Sequence, residues 1–81
     1  MPVILRYKGY RFLFFSNEGD PPEPLHVHVR KGERVAKFWI EPAICLAESY
    51  GFTSAELNEC VNVIEKNKKL IERCWNEHFG N

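Results

Sequence analysis

Apolar and polar positions alternate with a period of two through the first half of the chain and recur near 3.6 through its last third, so the pattern predicts strands followed by a helix. Residues 3–15 read as a β-hairpin. Lys8 and Gly9 can form its two-residue turn, with Gly9 supplying a positive φ. That register sets Tyr7 against Tyr10, Leu5 against Phe12 and Val3 against Phe14 on one apolar face. Ile4, Arg6, Arg11 and Leu13 take the other face, and Arg6 stands opposite Arg11. Residues 16–24 break the pattern, because prolines and glycine in this stretch cannot sustain a ladder.

Residues 26–41 repeat the hairpin logic. With Gly32 and Glu33 as a type II′ turn, Arg30 lies opposite Val35, His28 opposite Lys37 and His26 opposite Trp39. Val27, Val29, Ala36, Phe38 and Ile40 then face a core together. A slip of one residue would turn the histidines inward, so the apolar pattern specifies this register. Residues 43–50 are ambiguous, but Ile44 and Leu46 alternating with Cys45 and Ala47 fit a short fifth strand.

The helix runs over 54–78. Thr53-Ser54-Ala55-Glu56 is a capping box at its start and Gly80 a stop at its end. Leu57, Val61, Ile64, Ile71 and Trp75 recur three, four or seven residues apart, with Cys60, Leu70 and Cys74 alongside. The expectation is an α+β fold over 1–81, a single domain. An antiparallel sheet of four to five strands packs on one long C-terminal helix. A helix of that length, roughly 37 Å, exceeds a strand of about 20 Å. Its far end should therefore overhang the sheet and pack on the first hairpin, on 43–50, or on a second copy in a homodimer.

Composition narrows the chemistry. Eleven Lys and Arg balance eleven Asp and Glu, so no global field draws the chain to nucleic acid or an anionic membrane, and any such binding must come from a local patch. Cys45, Cys60 and Cys74 are odd in number and read as reduced core thiols. No apolar run approaches the ~20 residues that span a bilayer, and no signal-peptide pattern is present, so the expected setting is cytoplasmic with no membrane partner.

The candidate site is the outward face of the second hairpin. His26, His28, Arg30, Lys37 and Trp39 share it, and Arg6 and Arg11 join if the hairpins are neighbours. Three uses fit. Two imidazoles among cations suit metal-free phosphodiester cleavage, with His26 and His28 exchanging protons and Arg30 or Lys37 holding the developing charge. The same face with one indole suits RNA binding by stacking. His-x-His aims two rings at one point, as a zinc site requires, with Glu41, Asp20 or Glu23 as a third ligand. Arg30 and Lys37 oppose that cation, so no metal and no cofactor is assigned. His78 lies near the helix C-terminus, where it suits the macrodipole. Against all three stands a plain role: packing of His26 on Trp39, with the face serving as a docking surface for a protein.

Several stretches together carry a family resemblance. Leu5-Arg6-x-x-Gly9-Tyr10-Arg11-Phe12, Pro24-x-His26-Val27-His28-Val29, Ala36-Lys37-Phe38-Trp39-Ile40-Glu41-Pro42 and Glu48-Ser49-x-Gly51-Phe52-Thr53 leading into Glu56-Leu57 resemble the bacterial and archaeal domain-of-unknown-function 4160 family. Leu25 stands where that family usually has proline before the first histidine. The resemblance implies a small protein of a paired-gene, toxin–antitoxin-like module, with a small protein partner encoded nearby. It assigns no chemistry to any residue. The functions carried forward are a protein-binding component of such a pair, an RNA-binding or RNA-cleaving toxin-like enzyme, and a His-x-His metal domain.

Overall fold

The computed structural model describes residues 3–15 and 24–79. Five strands, β1 (Val3–Tyr7), β2 (Tyr10–Leu13), β3 (His26–Lys31), β4 (Arg34–Trp39) and β5 (Cys45–Tyr50), precede two helices, α1 (Ser54–Lys66) and α2 (Lys68–Phe79). The strands form one antiparallel sheet in chain order, β1-β2-β3-β4-β5. The α+β class and the fifth strand are as expected from the pattern.

Turn chemistry sets both hairpins. Lys8 and Gly9 both have positive φ, 47° and 85°, the type I′ geometry that matches the twist of the flanking strands. Tyr7 pairs with Tyr10, Arg6 with Arg11 and Leu5 with Phe12. A bulge between Val3 and Leu5 then puts Val3 opposite Leu13 instead of the predicted Phe14. One extra residue on a strand re-aims whatever follows it, which a count from the turn cannot foresee. In the second hairpin Gly32 has φ 62°, as a type II′ turn demands, and all three predicted pairs are present: His26 with Trp39, His28 with Lys37 and Arg30 with Val35.

The core lies between one face of the sheet and the helices. Tyr10, Phe12, Phe14, Val27, Val29, Ala36, Phe38 and Ile40 meet Cys60, Val63, Ile64, Ile71 and Trp75, all buried. Each large side chain removed from water in this way contributes about 1.5–3 kcal/mol before entropy is counted. The capping box starts α1 as predicted: the Glu56 amide donates to Thr53 Oγ1 at 3.1 Å, and the Thr53 amide donates to Glu56 Oε1 at 2.9 Å.

The single long helix is replaced by two. At Asn67, φ −117° and ψ 19° leave the helical region, and its side-chain Nδ2 donates to the Val63 carbonyl at 2.8 Å. An asparagine amide competes in this way with the backbone for helical carbonyls. The chain resumes at once, the Ile71 amide donating to the Asn67 carbonyl. The far end packs on the first hairpin, one of the three expected places. Ile71 and Trp75 pack into the core, and the Trp75 ring meets Phe14 of the first hairpin edge-on at 5.1 Å.

The three thiols are free, but they do not share the core setting expected of them. Cys60 is buried and Cys74 half-buried, whereas Cys45 is exposed because it sits on the edge strand β5. The predicted helix stop at Gly80 and the acidic Asp20 and Glu23 lie outside the described residues.

Candidate functional site

Residues directly opposite each other on neighbouring strands share a face, so the registers determine what the helices leave uncovered. One row crosses the whole sheet on that face: Arg6, Arg11, Arg30, Val35 and Tyr50. A second row holds Leu13, His28, Lys37 and Glu48, and a third holds His26, Trp39 and Cys45. The two hairpins are neighbours through β2 and β3, which brings Arg6 and Arg11 to the same face as the histidine strand.

The predicted residues differ sharply in exposure. Arg6 and Arg11 are exposed; Arg30, Lys37, Trp39 and His28 are half-buried; His26 is fully buried. His26 Nδ1 lies 2.9 Å from the Pro24 carbonyl, which can only accept, so this nitrogen carries the hydrogen. Trp39, Trp75 and His28 surround the ring at 5.2–5.3 Å. Alternation places His26 on the outer side, yet it stands at the end of β3, where Trp75 of α2 reaches it. The expectation that imidazole, guanidinium and indole emerge together therefore holds for His28, Arg30, Lys37 and Trp39 and not for His26.

His28 stacks on Phe15 with ring centroids 3.9 Å apart, and Lys37 Nζ lies 4.4 Å from the Trp39 ring centre. A pocket of about 260 Å³ opens among them, lined by Phe15, His28, Arg30, Val35, Lys37, Glu48 and Tyr50. A larger hollow, about 590 Å³, lies against α1 beside Tyr7 and contains none of the predicted residues. We take the smaller one as the candidate, because it alone joins cations, aromatic rings and a histidine.

Among the described residues the guanidinium row is short of partners. Arg30 Nε is shielded from solvent and makes no hydrogen bond among the described residues. The ion pairs among those residues join Lys8 to Glu59 and Arg34 to Glu56, away from this face. No three His, Cys, Asp or Glu side chains among the described residues converge as a metal site would need, and Asp20 and Glu23, two of the suggested third ligands, fall outside them.

Phe15, Tyr50 and Glu48 belong to the site without having been singled out. Tyr50 could have been found by carrying the pairing of β4 one strand further. Phe15 carried no signal beyond its place after β2.

The sequence profile of the family described as Domain of unknown function (DUF4160) matches residues 9–76. No curated protein and no solved structure matches the chain.

Proposed function

This chain belongs to the DUF4160 family, and from that premise we propose that it is a non-catalytic protein-binding component of a paired-gene regulatory module, docking its partner on the uncovered face of the sheet. The observation that carries this reading is the face itself: Arg6, Arg11 and Arg30 in a row, Lys37 over Trp39, and Tyr50 about 62% exposed at the end. Arginine, tryptophan and tyrosine supply most of the energy at protein interfaces. The small partner encoded nearby comes from the family resemblance to toxin–antitoxin-like pairs, and the cytoplasm is the matching compartment. Among the described residues no helix is long and apolar enough to cross a membrane.

The burial of His26 favours binding over cleavage. A proton shuttle needs both rings at the scissile phosphodiester, and one of them is enclosed by two indoles. The RNA-acting reading keeps one supporting observation, His28 in a pocket with Arg30 and Lys37.

Co-expression with the product of the adjoining reading frame tests the proposal. We expect a stable complex on size exclusion, weakened at least tenfold by Arg11→Glu or Trp39→Ala while thermal melts show both variants folded. The reading fails if no complex forms. It also fails if the purified chain cleaves RNA and His28→Ala abolishes that cleavage with complex formation intact.

A further inference from the structure

We propose that Arg6, Arg11 and Arg30 form a receptor for the carboxylates of an acidic segment on the partner protein, an inference that rests on the docking face described above. Like charges placed directly opposite on adjacent strands repel, and here Arg11 has one on each side. Strands lie about 4.8 Å apart, so the three side chains spring from a line about 10 Å long. No carboxylate among the described residues lies within 4 Å of any of them. Among the described residues, then, three guanidiniums stand together with no carboxylate beside them, and an external anion fits that row.

Guanidinium forks fit carboxylates and phosphates alike, with two parallel hydrogen bonds in each case. The surroundings favour the carboxylate. A nucleic-acid site combines cations with open rings on which bases stack. On this face Phe15 already stacks on His28 and Lys37 lies over Trp39, so each ring spends a side within the chain. Tyr50 keeps its ring open, but at the end of the row, two strands beyond Arg30. The chain's net charge of zero also gives it little long-range pull on a polyanion. A protein segment with several glutamates or aspartates asks only for a local cationic line and an apolar neighbour. Val35 and Tyr50 provide that neighbour in the same row.

The test uses the full chain and two labelled probes, a hexaglutamate peptide and a twelve-nucleotide oligouridylate, read by fluorescence anisotropy at low salt. The peptide should bind, and Arg11→Gln should weaken it at least tenfold. Arg11→Lys, which keeps the charge and loses the fork, should fall between, and Arg73→Gln on exposed α2 surface should change nothing. Circular dichroism melts keep loss of fold separate from loss of the site. Failure of the peptide to bind, or binding indifferent to Arg6, Arg11 and Arg30, overturns the proposal. Tighter binding of the oligouridylate, lost in the same variants, overturns it in favour of RNA. Should the adjoining frame's product bind the triple Gln variant as tightly as the parent, the carboxylate receptor is wrong and the pairing stands on other residues than the arginine row. Should the peptide bind while that product does not, the arginine row stands as a carboxylate receptor and the module reading falls.

Discussion

Replacing Arg11 with glutamine should make the isolated chain more stable, the reverse of what most surface substitutions do. Arg11 faces Arg6 on β1 and Arg30 on β3, so one change removes two like-charge contacts. Guanidiniums that splay to about 8 Å apart in water repel by roughly 0.5 kcal/mol, which a Debye length of ~10 Å reduces to about 0.25. Measured cross-strand pairs span about 0.2–1 kcal/mol, and two together give about 0.5–1 kcal/mol. For a domain of this size that raises the melting temperature by about 2–8 °C. Glutamine keeps much of the aliphatic stem, so packing changes little. The assay is thermal unfolding by circular dichroism at low salt and again at ~0.5 M salt, where stronger screening should cut the gain to about a third. Arg73→Gln is the control, expected near zero. The reasoning is refuted if Arg11→Gln is neutral or destabilising at low salt, or if its gain ignores salt. A residue that costs stability in the free chain and is needed for the complex marks a binding site.

Desolvation, reinforced by the hydrogen bond to Glu59, raises the Tyr10 phenol to about 12. Its contribution to stability is therefore complete below the ordinary value near 10 and lost as pH rises toward 12, so near-ultraviolet titration should show one of three tyrosines ionising late, and Tyr10→Phe should remove that phase. The Thr53 amide, helped by Arg34 and opposed by burial, holds the Glu56 carboxyl below its usual range. Its support is present above that range and lost as pH falls through the lowered value, so Glu56→Gln should flatten the acid limb of a stability-against-pH curve. Thr53→Ala should cost about 1 kcal/mol in urea unfolding. Thiol labelling of the native chain should modify Cys45 first and Cys74 more slowly, while Cys60, buried and pushed up to about 11, reacts only on unfolding. Equal labelling of all three thiols would contradict the packing.

Strand identity and hairpin register were legible because turn residues and alternation agree. Gly32 demands one turn, and only the register it produces sorts Val27, Val29, Ala36 and Phe38 from His28, Arg30 and Lys37. The break at Asn67 was not, since Ile64 and Ile71 stand seven apart and keep their face across it. Periodicity records direction around an axis and is blind to an interruption that preserves it. The asparagine among Lys66, Lys68 and Lys69 was the local clue. Burial of His26 depends on Trp75, 49 positions later. Alternation reports the side of a sheet on which a ring emerges, and says nothing of a distant side chain arriving at the strand's end. The arginine row needed strand order as well as pairing, and neither hairpin alone contains it.

The interruption at Asn67 makes the helical layer a two-piece clasp. The leading piece is riveted at three points, by Arg34 to Glu56 at 2.6 Å, by Tyr10 to Glu59 at 3.1 Å and by Lys8 to Glu59 at 3.9 Å. The trailing piece is held chiefly by Ile71 and by Trp75 with its aromatic neighbours. Fewer polar ties hold it to the sheet among the described residues, so its amides should exchange with solvent sooner than those of the leading piece. Trp75 of that piece lies 5.2 Å from the His26 ring, so loss of its packing would open a sealed imidazole to water.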